Sequence, residues 1–309
     1  MKQEHTSPQT DTQGTSRRQF LQWTGTVAAG SALLGAGIPR VHAGEDNTIR
    51  LALIGCGGRG SGAVGNAMNS PFGPVELYAM ADVMEDRLTR AHQALSDEFG
   101  DRINVPKERQ FVGFDAYKKA IDCLGPNDVA MITSFAYVRA LQLEYAVQKG
   151  VNAFLEKSFG PDAPSLRRLM QAGEEAKKKN LKIAAGLQCR HSVNRQELIK
   201  RIRDGELGQL ILVRAYRIHP AGGMGKKPDG MSELMWQIRN FTSFPWVSGG
   251  LFAEMNIHQI DELCWLKGDY PVIARGIGGR KFKSEDRSQE LDSHSIEWTF
   301  ADGTKATDG

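Results

Sequence analysis

A lysine stands where a buried strand should open into a loop. Residues 151–155 (Val-Asn-Ala-Phe-Leu) are mostly apolar, and Glu156, Lys157 and Ser158 follow before the Gly160-Pro161 break. An amine desolvated at such a place has a depressed pKa, and it can donate to a developing alkoxide or relay a proton. Far downstream, Glu254 and His258 stand four residues apart, a spacing that puts both on one face of a helix. Histidine exchanges protons near neutrality, and the carboxylate is expected to orient the imidazole and favour its charged form. Such a pair also suits zinc or iron. No third ligand falls at helical or strand spacing, so no metal is expected.

These groups need a scaffold, and the sequence indicates one. Residues 49–54 (Ile-Arg-Leu-Ala-Leu-Ile) read as a central parallel strand. Gly55-Cys56-Gly57-Gly58-Arg59-Gly60 follows, matching G-x-G-x-x-G, and a small-residue helix is expected around 61–68. The first glycine permits the tight turn, Gly57 lets the backbone approach a pyrophosphate, and Gly60 lets helix and strand pack closely. The helix N-terminus offers unpaired N–H groups to phosphate. A second strand, 75–82, ends in Asp82, 22 residues after Gly60. An acid at that offset can bond both ribose hydroxyls and would repel a 2′-phosphate, which favours NAD over NADP. Arg87 nearby keeps NADP in view.

The alternation continues through helix 85–98, strand 110–112, helix 114–123, strand 128–133, helix 136–149, strand 151–155, helix 163–179 and strand 181–186. Strands and helices in this order predict a doubly wound parallel sheet, whose ligands sit beyond the carboxyl ends of the strands. Thr133, Glu156 and Lys157 fall on that rim with the glycine turn and are expected to meet the nucleotide. After about residue 190 the pattern changes. A helix at 193–204 precedes extended segments 209–218, 271–278 and 293–300, interrupted by one long helix, 249–266. These read as a second α/β domain, 187–309, beside a nucleotide-binding domain, 48–186. Residues 300–305 read as a hairpin turn. The sequence stops nine residues after Phe300, so the second sheet is expected to be incomplete. Residues 219–240, with Gly222, Gly223, Gly225 and Pro228, read as a surface loop.

Residues 1–43 are expected to be an export signal rather than part of the fold. Arg17-Arg18 precede an apolar Gly/Ala-rich stretch, and Val41-His42-Ala43 offers a cleavage site. Ser16 to Leu21 resembles the twin-arginine signal, which carries folded proteins, so a periplasmic or otherwise exported location is expected. The apolar stretch is too short for a spanning helix. Without the signal the charge is about +1, from +3 for the whole chain. That balance carries no nucleic-acid footprint. Four scattered cysteines (Cys56, Cys123, Cys189, Cys264) form no C-x-x-C pair; they read as buried free thiols rather than a disulfide or zinc framework.

Several stretches together resemble the Gfo/Idh/MocA family of sugar and polyol oxidoreductases. They are the opening Ile-Gly-Cys-Gly-Gly-Arg-Gly (54–60), the strand-end Glu156-Lys157-Ser158, where the family carries Glu-Lys-Pro, and Ser248 to Asp261. The resemblance spans about residues 48–305. It implies an N-terminal Rossmann domain and a C-terminal α/β domain with an open, mostly antiparallel sheet that often makes oligomer contacts. By the same resemblance Lys157 would hydrogen-bond the reacting hydroxyl and His258 would accept or donate its proton. Glu254 occupies a position where the family more often has aspartate. Arg190 and His191, with Gln188, follow strand 181–186 and would face the same cleft, with Arg190 holding either sugar hydroxyls or a structural ion pair. Trp236, Arg239, Asn240 and Trp246 resemble a sugar-facing set, with core packing as the alternative reading. The implied activity is hydride transfer between a sugar, sugar acid or cyclic polyol and a tightly bound nicotinamide. The alternative is a redox-neutral glycosidase or epimerase on the same fold. A homo-oligomer through the C-terminal sheet is also implied.

Overall fold

Residues 49–54 and 75–82 carry apolar side chains on both faces, and such strands are stable only inside a covered parallel sheet. The computed structural model of the chain, which describes residues 47–219, 224–280 and 288–309, places them there. The signal-like segment 1–43 and Gly222 and Gly223 lie outside the described residues. Strands β1 (Ile49–Ile54), β2 (Val75–Asp82), β3 (Gln110–Val112), β4 (Val129–Ile132), β5 (Asn152–Leu155) and β6 (Ile183–Ala185) form a parallel sheet in the order β3-β2-β1-β4-β5-β6. This is the doubly wound Rossmann order. The strand order reverses between β1 and β4, which opens a crevice beyond their carboxyl ends.

Five helices cover the two faces: α1 (Gly58–Met68), α2 (Glu85–Phe99), α3 (Ala116–Asp122), α4 (Ala136–Lys149) and α5 (Ala163–Lys178). One core joins Leu51, Leu53, Val64, Leu77, Met80 and Leu88. Another joins Ile54, Ile132, Leu143, Val147 and Leu155. Side chains buried as fully as Leu53 and Leu143 stabilise the fold by about 2–3 kcal/mol each. Helix α4 stops where expected, because Gly150 takes a left-handed conformation at φ 75° that glycine adopts without steric cost. Helix α5 starts at Asp162, whose carboxylate accepts from Ser165 N–H, a standard N-cap.

After α6 (Val193–Arg203) comes a second, mixed sheet. It comprises β7 (Leu212–Ala215), β8 (Ile273–Gly279), β9 (Ser293–Thr299) and β10 (Lys305–Asp308) in the order β7-β10-β9-β8. Strand β10 runs parallel to β7 and antiparallel to β9, which is antiparallel to β8. The hairpin expected at 300–305 joins β9 to β10, with Phe300 N–H donating to Thr304 O. Leu263, Phe300 and Ala306 pack Val213, Ala215 and Trp298 against the helix behind the sheet.

Three expectations are corrected. Residues 233–239 are a helix, α7 (Glu233–Arg239), rather than loop, because Ser232 caps its start and Trp236 and Ile238 are buried. The expected helix 249–266 begins instead with Gly249 and Gly250 at positive φ. It proceeds through a π-helical turn, Phe252–Asn256, into an α-helix, Ile257–Lys267; with the short helix Pro245–Ser248 as α8, the latter is α9. Of the free cysteines, Cys56 and Cys189 are buried, whereas Cys123 and Cys264 are half-buried. Among the described residues no helix is long and apolar enough to cross a membrane.

Candidate functional site

The glycine turn depends on two close approaches. Gly55 has φ 98°, and a Cβ there would meet Ser134 N at 2.7 Å. A Cβ on Gly60 would lie 2.2 Å from Gly55 O and 2.6 Å from Thr133 Oγ1. At Gly57 and Gly58 a Cβ would meet nothing within 4 Å, so the turn presents bare backbone to the crevice. Helix α1 begins at Gly58, inside the motif, and no side chain caps its first N–H groups. An uncapped helix start facing an open crevice is suited to a phosphate.

That crevice is a cleft of about 830 Å³ lined by the turn, Asp82, Thr133, Glu156, Lys157 and Glu254. Its volume is within the range of small-molecule sites. At one end Asp82 accepts Cys56 N–H at 2.6 Å and Met84 N–H at 2.8 Å. Burial raises its carboxyl, and those two N–H groups oppose the rise. The Asp82 carboxylate thus braces the turn while it faces the cleft, with Arg87 and Phe114 also on the wall. Thr133 donates to Gly55 O at 2.6 Å, so its hydroxyl ties the end of β4 to the turn. Arg59 pairs with Glu156 at 3.0 Å.

At the other end Lys157 Nζ donates to Glu254 Oε2 at 2.8 Å and to Glu254 O at 2.6 Å. Ser158 Oγ lies 2.7 Å from Glu254 Oε1. The π-helical turn helps to explain this contact, since such turns free carbonyls from the regular ladder, and Lys157 takes one of them. The expected pairing of Glu254 with His258 is therefore corrected. Both carboxylate oxygens are held from the β5 side, and His258, buried at the start of α9, has no partner on Nδ1 among the described residues. Its imidazole is not favoured in the charged form. Burial pushes it below its ordinary 6.5, the positive charges of Lys157 and Arg217 add to that, and Asp261 and Glu262 oppose it.

Most of the other expected site residues lie away from the cleft wall. Arg190 makes a bidentate pair with Asp261 at 2.7–3.0 Å and lies over the Trp265 ring. His191 is exposed beside it. Trp236 is buried with Met224, Phe244 and Val247. Arg239 pairs with Asp86 of α2 at 2.9 Å, and Trp246 joins the wall with its indole N–H on Gln237. Among the lining residues that the sequence reading missed, Arg139 carries a charge. Arg139 is buried, burial lowers its guanidinium to about 10, and the charges of Glu254 and Glu156 oppose that. Its signal was present: an arginine on the same helix stripe as Ala136, Ala140 and Leu143, all buried. Among the described residues no three His, Cys, Asp or Glu side chains are grouped to hold a metal.

Comparison with solved structures decides the architecture. Scyllo-inositol dehydrogenase from Lactobacillus casei, solved with bound NAD(H) and scyllo-inositol, matches with a TM-score of 0.64 over 84% of this chain and 68% of that one, at 23% identity. The fold is that of the inositol dehydrogenases. In sequence, the chain is 25% identical over 280 residues to a glycosyl hydrolase family 109 protein of Shewanella pealeana, covering 86% of this chain and 56% of the relative. It is 25% identical over 228 residues to the rhizopine catabolism protein MocA of Rhizobium meliloti, covering 73% of this chain and 59% of the relative. The chain thus spans a little over half the length of these relatives. No protein-family model matches it.

Proposed function

We propose that the chain is an exported NAD-dependent oxidoreductase. It moves hydride between a sugar, sugar acid or cyclic polyol and a nicotinamide cofactor that stays bound. The observation that carries this reading is the single cleft shared by the bare glycine turn, Asp82 and the Lys157–Glu254 pair. The uncapped helix start and the open positions at Gly57 and Gly58 fit a dinucleotide pyrophosphate, and Asp82 fits an unphosphorylated ribose. When bound, the nicotinamide supplies the hydride acceptor. The chain's own residues supply the rest. Lys157, fixed by Glu254, donates to the reacting hydroxyl oxygen, and His258, biased towards its neutral form, takes the proton. In this reading Arg190, His191, Trp236 and Arg239, which lie outside the cleft wall, do not touch the substrate. The MocA and scyllo-inositol dehydrogenase likenesses support a cyclic polyol or related sugar. The test is to denature the purified protein, quantify released nicotinamide, and screen polyols and sugars for reduced nicotinamide. A protein that carries and binds no nicotinamide nucleotide would end this reading.

The far wall of the cleft supports a cofactor that stays bound. Helix α7 and residues 241–247 form the far wall of the cleft through Leu234, Ile238, Phe241, Trp246 and Val247. Asp86 holds both Arg239 and Arg90, and Arg239 keeps the Asp86 carboxyl below its usual range. The pair is solvent-exposed, so it contributes no more than about 1 kcal/mol. Arg239→Ala is therefore expected to speed nucleotide release about three- to fivefold, measured by fluorescence of displaced NADH. An unchanged release rate removes the latch role.

The proton acceptor predicts a pH profile. Because His258 is depressed, its neutral form persists to below pH 6.5. Alcohol oxidation is expected to stay level down to that pH and to fall beneath it as the imidazole protonates. His258→Gln should remove that limb. A limb well above pH 6.5 in the parent enzyme would exclude His258 as the base.

The glycosyl hydrolase family 109 likeness supports a second reading, redox-neutral cleavage or epimerisation with the hydride returned. Release of aglycone from chromogenic glycosides without net reduced nicotinamide would favour it. Export rests on residues 16–43, and cell fractionation after changing Arg17 and Arg18 to lysine checks it. Contact between copies through the second sheet is supported by Ile273 and Ile277, exposed on β8, and light scattering of the purified protein reads the assembly.

A further inference from the structure

We propose that Ser158 is a positioning residue: its hydroxyl locks the Glu254 carboxylate so that Lys157 directs one N–H into the cleft. The inference rests on the reading of Lys157 as the group that meets the substrate. Ser158 is 1% exposed, so its hydroxyl must find a partner within the protein. Two acceptors are within reach, Glu254 Oε1 at 2.7 Å and Ser248 O at 3.4 Å. The hydroxyl has one proton, and an ionised carboxylate only accepts. The shorter, charge-assisted contact takes that proton, and the contact to Ser248 O is left weak.

The consequence is a carboxylate held at both oxygens by adjacent residues. Ser158 grips Oε1, and Lys157 grips Oε2 at 2.8 Å while also donating to the Glu254 main-chain oxygen at 2.6 Å. A carboxylate held at one oxygen can turn about its last torsion, which has a broad energy minimum. Held at both, it keeps Nζ at one point. Two of the three ammonium donors are then spent on a single residue, and the third is left for the cleft that Lys157 lines. With Lys157 and Ser158 as its donors, the acid positions the amine and leaves the imidazole to its own surroundings.

The test reads the amine directly and does not depend on knowing the substrate or on nucleotide binding. The intact chain is labelled at lysines with acetic anhydride, and the rate at Lys157 is read by peptide mass spectrometry. Lys149 and Lys178, at 42% and 69% side-chain exposure, serve as internal references. Ser158→Ala is expected to raise Lys157 labelling several-fold, because a carboxylate freed at Oε1 can turn about its last torsion and hold Nζ less of the time. Ser158→Thr, which keeps the hydroxyl, should restore the parent rate. In a Glu254→Gln background, adding Ser158→Ala should change nothing further, since the serine acts through that carboxylate. Parent-like labelling in Ser158→Ala overturns the proposal. So does a Ser158→Thr variant that labels like alanine, or a further rise on top of Glu254→Gln. If Ser158→Ala fails to fold, both references shift with it, and the threonine and glutamine arms decide. A protein that passes this test yet binds no nicotinamide would retain the lock and lose the dehydrogenase reading.

Discussion

Gly60→Ala is expected to abolish nucleotide retention and to lower stability by about 3 kcal/mol or more. The added methyl would lie 2.2 Å from Gly55 O and 2.6 Å from Thr133 Oγ1, and one of these atoms is main chain and cannot rotate aside. Relief requires α1 to move away from β1, which pulls the first N–H groups of the helix off the turn. Both effects come from one displacement, so they should appear together. Nucleotide retention is checked by titrating NADH fluorescence, and stability by urea unfolding of parent and variant. A Gly60→Ala protein that still holds nucleotide with parent affinity would show that the phosphate does not sit on this turn. The contrast is Gly58→Ala, where a Cβ meets nothing within 4 Å. That change should leave stability nearly unaltered.

The second large effect concerns the amine. Lys157→Met keeps most of the side-chain volume and removes the charge and all three donors. If the dehydrogenase reading holds, turnover of whichever polyol or sugar the screen identifies is expected to fall about a thousandfold, within the range that positioned acid–base groups contribute. Nucleotide binding at the glycine turn should persist, because the turn and Asp82 are held by other contacts. Stability should drop by about 1–3 kcal/mol, the usual effect of leaving a buried acceptor unsatisfied, here the Glu254 Oε2 that Lys157 otherwise bonds. Turnover within tenfold of the parent would remove Lys157 from the chemistry. Loss of nucleotide binding alongside turnover would instead make the lysine a cofactor ligand.

The two experiments separate two parts of one cleft. The first part was legible from residues close together in the chain: Gly55, Gly57, Gly60 and Asp82 report on a turn, a helix start and a strand end. The second part was legible only as a set of candidates. Lys157 stood out because an amine at a strand end is unusual, but its partner did not. A helical spacing joined Glu254 to His258, and a π-helical turn with a lysine crossing from another strand broke that pairing. From their types alone Arg239 and Trp236 read as either sugar-facing or core-packing. In the structure one is bonded to Asp86 of α2 and the other is packed among Met224, Phe244 and Val247.

What the amino-acid order determined by itself was the alternation of strands and helices, the glycine turn and the rim on which Lys157 falls. Each of these depends on backbone geometry and burial repeating every two to four residues, and such repeats are visible locally. Only the tertiary structure decided that Glu254 serves Lys157 and Ser158 rather than His258, that Arg139 lies buried within the influence of both Glu254 and Glu156, and that α7 closes the far wall. Those outcomes depend on where segments up to 153 residues apart cross. A carboxylate bonds whichever donor the crossing delivers, and spacing along the chain does not encode that meeting.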